Sequence, residues 1–389
     1  MRSATLAMAL ALTAAGAIGS ARGDDGGDDS GDGDREEDAA RALAKAKKAK
    51  KEAKAEAGQT VEVHGRVFAR MTASREETVL GTTPWTSSLD LASARIGIDY
   101  QWRKRVRAKV SMEARGSVRD AFVEVPLGDG LRLRAGRMRL PIGALEQTSA
   151  WTLPTIERGL VAAVLSDGVG LTGRRDGVEL RWRGDGAWRP TVTLAVAQGV
   201  NVLGDDLVGP VEDGGAITVA ARVAVEPCPM YRVALVGASR AYNAGTDVAR
   251  YWSATLEAEV DLEAIGRGFR LWGDATYGTA HFGDATVGDP DRGFLAGELA
   301  AGYRLGGDDG GAPYVEPFVG AGWLNPITDR ARDDVAEVVV GVAGGRWKRW
   351  RVQAQVAYQN AKALRPAGLL GTTDVNDKLT ATTQLGAAF

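Results

Sequence analysis

The residues of this sequence that most clearly suggest chemistry are arginines close to carboxylates. Arg137, Arg139 and Arg158 lie in one stretch of the chain, together with Glu146 and Glu157. A guanidinium group binds a phosphate or carboxylate through two parallel hydrogen bonds. We therefore predict that the three arginines contact a small anion at the narrowest part of a polar site, where the two glutamates are able to pair with them.

A second set of basic residues recurs at alternating positions, and alternate residues of a strand share a face. Its members are Arg95, Arg107, Lys109, Arg115, Arg132, Arg134, Arg181 and Arg183. A bulge at Gly136 would add Arg137 to the face of Arg134. One interpretation is a basic wall with a weak preference for anions. The other is that these arginines neutralise carboxylates across strands, which would leave the wall nearly unselective.

Charge is distributed unevenly along the chain. Residues 61–200 contain 21 Lys and Arg against 15 Asp and Glu, whereas residues 201–389 contain 17 against 24. If the two parts face each other across a lumen, one side of that lumen is basic and the other acidic. An acidic run of alternating residues is predicted to be a solvated inner face; it consists of Glu257, Glu259, Asp261 and Glu263.

The elements that carry these residues are predicted from alternation of period two. In residues 95–102, 106–115 and 351–358, apolar residues alternate with mainly polar or charged ones, which is typical of a strand with one apolar face. Sixteen segments are predicted as strands: 61–71, 89–102, 106–115, 118–126, 131–139, 169–183, 189–200, 216–226, 231–242, 250–264, 268–280, 294–305, 314–325, 336–346, 350–361 and 378–389.

The connections between these segments are alternately short and long, with 116–117 as the exception among the long ones. Outer-membrane barrels have short periplasmic turns and longer external loops. An open sheet edge in lipid would leave backbone groups unpaired at a cost of several kcal/mol each, so the sheet must close. We predict an all-β fold, a sixteen-stranded antiparallel transmembrane β-barrel over 61–389, preceded by a short N-terminal helix.

The remaining composition is consistent with insertion into outer-membrane lipid. Hydrophobic residues make up 44% and charged residues 25% of the chain, because a barrel needs apolar side chains only at every second strand position. Aromatic residues such as Trp102, Trp182 and Trp350 lie near predicted strand ends, where interfacial girdles form. The terminal Phe389 is in phase with the apolar face of the last strand.

The N-terminal residues are predicted to be separate from the barrel. Residues 1–23 have the basic, apolar and small-residue regions of a cleaved signal peptide, which implies export to the outer membrane of a Gram-negative bacterium. Residues 24–34 are an acidic Asp/Gly linker. Residues 35–57 are rich in Ala, Lys and Glu and predict a charged helix, either a coiled coil between subunits or a spacer.

The sequence gives little support for catalytic activity, for cofactor binding or for nucleic-acid binding. The two histidines, His64 and His281, are far apart, and Cys228 is the one cysteine. No metal site, no nucleophile–base arrangement and no phosphate-binding loop is predicted. We expect a protein that is not an enzyme and that binds no cofactor and no nucleic acid.

A family likeness covers residues 119–160. Arg119–Glu124 leads through a Gly-Asp-Gly turn to a strand ending in Gly136-Arg137, followed by a Pro-x-Gly-x-x-Glu segment at 141–146 and by Glu157-Arg158. These motifs resemble the phosphate-selective porin O/P family. The resemblance implies a sixteen-stranded, usually trimeric pore whose third external loop, here 140–168, folds into the lumen.

These observations predict an outer-membrane porin for passive diffusion of small hydrophilic solutes, with a weak preference for anions such as phosphate. The predicted partners are lipid, small anionic or hydrophilic solutes and, from the resemblance, two further copies in a homotrimer. The alternative is a structural envelope protein whose closed barrel anchors the helix at 35–57 in the periplasm. An outer-membrane enzyme is a third alternative, for which no nucleophile or base stands out.

Overall fold

A computed structural model provides the coordinates of the protein. The described residues are 58–78, 81–103, 105–114, 116–163, 165–166, 171–198, 217–244, 247–261, 268–279, 293–307, 312–326, 328, 334–347, 349–361 and 375–389. The predicted signal peptide at 1–23, linker at 24–34 and helix at 35–57 lie outside the described residues, as does Arg115.

The described residues form one antiparallel sheet of eighteen strands. The strands are β1 (Gln59–Thr78), β2 (Gly81–Thr82), β3 (Thr86–Trp102), β4 (Val106–Glu113), β5 (Val118–Gly128), β6 (Leu131–Arg139), β7 (Arg174–Arg183), β8 (Thr191–Gln198), β9 (Ile217–Cys228), β10 (Tyr231–Ala244), β11 (Asp247–Asp261), β12 (Phe269–Thr279), β13 (Gly293–Tyr303), β14 (Leu305–Gly306), β15 (Pro313–Asn325), β16 (Val335–Arg346), β17 (Trp350–Ala361) and β18 (Val375–Ala388). All except β2 and β14 have eight or more residues, and each of the sixteen predicted segments overlaps one of them, although several bounds differ; the predicted 169–183, for example, is a strand only from Arg174. The all-β prediction is confirmed.

Strands that follow one another in the sequence are neighbours in the sheet, as in a meander. The first strand, β1, also pairs with the last, β18, from Arg66 opposite Ala388 to Thr78 opposite Val375. This ladder explains why β1 is longer than the predicted 61–71. Near the Thr78 end of this ladder, the side chains of Glu76 and Lys378 form an ion pair of 2.9 Å.

The sheet has an exposed apolar face and a buried polar face. On β16, Val338, Val340 and Val342 are 44–51% exposed, whereas on β17 Arg351 and Gln353 are each 1% exposed. We use the names apolar face and polar face for these two sides throughout. The arrangement is the reverse of a soluble protein, and so large an exposed apolar surface requires an apolar environment.

The described residues of the segment 140–173, between β6 and β7, pack against the polar face, and we call this part of the chain the internal segment. It contains two helices of one turn, α1 (Ala144–Gln147) and α2 (Leu160–Ala163). Its apolar side chains cluster with apolar residues of the polar face. The largest members of that cluster are Leu140, Ile142, Leu160, Leu165, Leu171, Phe294 and Leu324, all at most 2% exposed.

The described chain divides into two compact units. The smaller comprises 58–62 and the strand ends at 99–103 and 105–107, where Arg107 and Asp99 form an ion pair of 2.9 Å. The larger comprises the described residues of 63–98 and 108–389 and contains the internal segment. In the described ranges no helix has both the length and the apolar character needed to cross a membrane.

Candidate functional site on the polar face

Two carboxylates of the polar face hold the start of α1. Glu257 on β11 accepts a hydrogen bond of 2.8 Å from the backbone N–H of Gly143, and Asp274 on β12 accepts one of 2.9 Å from the N–H of Ala144. Glu257 is also paired with Arg222 at 2.7 Å. Backbone N–H groups at a helix start have no partner within the helix, so these carboxylates satisfy donors that would otherwise be buried and unpaired.

A third carboxylate, Glu298 on β13, holds the start of α2. It accepts hydrogen bonds from the backbone N–H groups of Val161 at 2.9 Å and Ala162 at 3.4 Å. Gly159 precedes them with φ of +93°, and a Cβ atom built there would lie 2.6 Å from Glu298 Oε2. The close approach of the carboxylate therefore depends on glycine at 159.

Side chains of β17 bind carbonyl groups in the middle of the internal segment. Arg351 donates to the carbonyl oxygens of Trp151 at 2.9 Å and Pro154 at 3.3 Å, and Gln353 donates to that of Pro154 at 2.9 Å. Nearby, the backbone N–H of Ile156 donates to Gln355 Oε1 at 2.8 Å. The internal segment is thus bound to the polar face at the start of each helix and between the two helices.

Three of the five predicted contact residues meet, two of them in the internal segment and Arg139 at the end of β6. Glu146 pairs with Arg139 at 3.5 Å and with Arg158 at 3.2 Å. The Arg158 guanidinium also donates to the carbonyl oxygen of Thr148 at 3.2 Å. Burial lowers the pKa of the Arg158 side chain, and the charge of Glu146 acts in the opposite direction.

Glu157 joins this region through a residue that the sequence had not singled out. Its carboxylate is 64% exposed and forms an ion pair with Arg70 on β1. Arg70 is also held by Gln384 on β18, whose Oε1 accepts a hydrogen bond of 3.1 Å. Glu157 therefore connects the internal segment to the paired strands β1 and β18.

Arg137 does not join the other predicted residues. It pairs with Asp176 on β7 at 3.3 Å and donates to the carbonyl oxygen of Val118 at 2.9 Å. The register between β5 and β6 shows no shift at Gly136, so the predicted bulge does not form there. In the pairing of β6 with β7, Arg134 stands opposite Glu179 and Arg137 opposite Asp176.

The described basic residues of the predicted wall lie beside carboxylates. The ion pairs are Arg95–Glu113 at 3.5 Å, Arg132–Glu124 at 3.0 Å, Arg134–Glu124 at 2.5 Å, Arg134–Glu179 at 3.4 Å, Arg181–Glu179 at 2.8 Å and Arg183–Glu226 at 3.7 Å. Lys109 lies near Asp120. These pairs favour the alternative in which the wall is largely neutralised across strands.

Beside the internal segment the polar face leaves a cavity of about 310 Å³. Its charged lining residues are Arg70, Glu157, Arg158, Glu298, Glu337 and Lys378. Its neutral polar lining consists of Thr72, Thr155, Gln355, Gln359, Thr380 and Thr382. Such a lining of hydroxyl, amide and paired charged groups is able to hydrogen-bond water and small polar solutes.

The sequence analysis did not predict the roles of several residues of this site. The acidic run was expected to be solvated, but Glu257 is 2% exposed and binds the internal segment. Asp274 and Glu298 are isolated acids among small and apolar residues, a signal that was available in the sequence. Arg70 and Lys378 carried no such signal, because their strands contain other charged residues.

The fold is similar to that of solved outer-membrane proteins. An anion-selective porin from Comamonas acidovorans matches with a TM-score of 0.60 and 14% identity, over 85% of this chain and 100% of that chain. The outer membrane channel DcaP of Acinetobacter baumannii matches with 0.56 and 13%, over 86% and 98%. The trimer form of in-vitro folded OmpT, an outer membrane protein of Vibrio cholerae, matches with 0.54 and 13%, over 85% and 100%. The chain has the fold of an outer-membrane porin.

The comparison with family models gives a match over part of the chain. The model of the family described as phosphate-selective porin O and P matches residues 89–206. The motifs at 119–160 lie within this match, which confirms the resemblance. No curated protein sequence matches the chain.

Proposed function

We propose that the chain is an outer-membrane porin through which small hydrophilic solutes diffuse passively. The observation that carries the proposal is the reversed distribution of side chains, with exposed valines on one face and buried charged and amide side chains on the other. Lipid in contact with the apolar face accommodates the exposed valines, and water in contact with the polar face solvates the charged and amide side chains. A soluble sandwich would bury its apolar residues instead.

The pairing of β1 with β18 supports closure of the long strands into a sixteen-stranded barrel. Closure removes both sheet edges, which is the condition for stability in lipid. A barrel of this strand number has an interior wide enough for water. The internal segment then narrows that interior, and the cavity beside it is the proposed route for solutes.

Conductance in planar bilayers tests the proposal. The full mature chain, refolded in detergent, is expected to insert and to produce stepwise currents. Insertion without current, verified by protease protection of the strands in vesicles, would refute the porin function. Solubility of the purified chain without detergent would refute the membrane location.

A weak preference for anions is the finer part of the proposal. It is supported by the family match and by the anion-selective porin among the structural neighbours. The ion pairs of the basic wall argue that the preference is small, because each paired arginine carries little net charge toward a permeant ion. The reversal potential in a KCl gradient measures it, and a value at the potassium equilibrium potential would refute it.

A second candidate is a structural envelope protein with a closed interior. The observation that favours it is the apolar cluster between the internal segment and the polar face, which fills part of the interior. In that case the barrel would anchor the predicted helix at 35–57. The same bilayer experiment separates the two functions, since a closed barrel inserts silently.

Export, assembly and partners complete the proposal. A cleaved signal peptide at 1–23 would direct the chain to the outer membrane of a Gram-negative bacterium. Homotrimer formation is supported by the trimer form of the OmpT neighbour. Cross-linking of detergent-solubilised protein tests it, and a species that stays monomeric at every concentration would refute it.

A further inference from the structure

Glu337 is a charged residue on the part of the polar face that β16 contributes. Alternate residues of a strand share a face, and the neighbours of Glu337 on that face, Val335 and Val339, are 2% and 7% exposed. On the adjacent strands Glu337 stands opposite Gly322 and Gln359. Its carboxylate therefore lines the cavity between cross-strand partners that carry no charge.

The other charged residues that line the cavity have partners. The ion pairs are Arg70–Glu157, Arg158–Glu146 and Lys378–Glu76. Glu298 accepts backbone hydrogen bonds from the internal segment. Among the residues that the structure describes, none forms an ion pair or a side-chain hydrogen bond with Glu337. Among the described charged residues of this lining, Glu337 is the one with neither an ion pair nor a hydrogen bond.

We propose that Glu337 is a selectivity-determining residue of the cavity, which repels anions and so keeps the anion preference of the channel small. This inference rests on the proposed porin function, because it requires that ions pass through the cavity. Charged side chains that line a pore set its ion selectivity. A charge that is paired with an opposite charge interacts only weakly with a permeant ion, because the two contributions largely cancel. An unpaired charge has no such cancelling neighbour and interacts more strongly.

The substitution Glu337→Gln tests the proposal, because it removes the charge and keeps the shape. Reversal potentials are measured in a KCl gradient with the refolded full mature chain. The Gln variant is expected to shift the reversal potential toward the chloride equilibrium potential. A unit charge about 4 Å from a permeant ion in water changes the permeability of that ion about fivefold, in opposite directions for anions and cations. Removal of the charge should therefore raise the anion-to-cation permeability ratio by about 25-fold. Glu337→Lys doubles the charge change and should shift the potential further.

The matched control is Glu62→Gln, which removes an exposed carboxylate that does not line the cavity. Its reversal potential should equal that of the unaltered protein. If the Glu337→Gln variant does not assemble, Glu337→Ser removes the same charge with a smaller side chain. Open channels with unchanged reversal potential in either variant would overturn the role of Glu337. Absence of current in the unaltered protein would overturn the porin function and, with it, this role.

Discussion

The substitution Gly159→Ala should release α2 from the polar face. Gly159 has φ of +93°, and an added Cβ would lie 2.6 Å from Glu298 Oε2. A non-glycine residue in such a conformation costs about 1–3 kcal/mol. Displacing the Glu298 carboxylate also weakens its hydrogen bonds with Val161 and Ala162, and a hydrogen bond to a charged group contributes roughly 1.5–3 kcal/mol.

Gly116→Ala is the matched control for this prediction. Gly116, in the turn between β4 and β5, has φ of +87°, but an added Cβ there would meet nothing within 4 Å. The control thus carries similar backbone strain without the clash. The difference between the two variants isolates the contact with Glu298, and a loss of about 1.5–3 kcal/mol would reduce the equilibrium constant for docking of the internal segment roughly tenfold to a hundredfold.

Two measurements check the docked fraction. Limited trypsin digestion of the refolded protein should cleave after Arg158 faster in Gly159→Ala than in Gly116→Ala, because release of α2 exposes this bond. Single-channel recordings of Gly159→Ala should show larger or more variable conductance. If both variants resist trypsin as the unaltered protein does, Glu298 does not hold the internal segment, and the reasoning from the glycine contact fails.

Two further perturbations test the site and the apolar face. Glu146→Gln should leave Arg139 and Arg158 without their shared carboxylate and raise the anion-to-cation permeability ratio, because two positive charges then lack their counter-charge; an unchanged reversal potential would contradict the predicted contact site. Val340→Arg should destabilise the inserted barrel by about 2–4 kcal/mol, the cost of Arg at the lipid midplane. Thr382→Arg, which places the same residue in the cavity, should cost much less. Guanidinium unfolding in lipid vesicles measures both, and equal losses would refute the assignment of the apolar face.

The ion pairs of the polar face give the proposed channel a specific physical character. Two of the carboxylates each pair with two arginines: Glu124 on β5 with Arg132 and Arg134, and Glu179 on β7 with Arg134 and Arg181. Such pairs fix the orientation of long side chains and lower the net charge that a solute meets. Selectivity then depends on the few groups without partners rather than on the total number of arginines.

The sequence alone determined the sixteen long strands and their order, but not the two-residue strands β2 and β14. Alternation of period two is a local property, since each side chain's face depends only on its position along its own strand. The segments around Arg107, Arg134 and Val352 were therefore recognisable without any knowledge of their neighbours. The motifs at 119–160 carried the family resemblance for the same reason, because they lie close together in the chain.

Only the tertiary structure decided which partner each charged side chain contacts. Glu298 contacts Val161 across 137 positions of the sequence, and Arg351 contacts Trp151 across 200. A local sequence pattern cannot predict contacts between residues so far apart in the chain. These contacts depend on how the sheet places β13 and β17 beside the internal segment. The same holds for the unbroken register at Gly136, which sends Arg137 to Asp176, and for the position of Glu337 between two uncharged neighbours. Local patterns specify which face a side chain occupies, and pairing between distant strands specifies its partner.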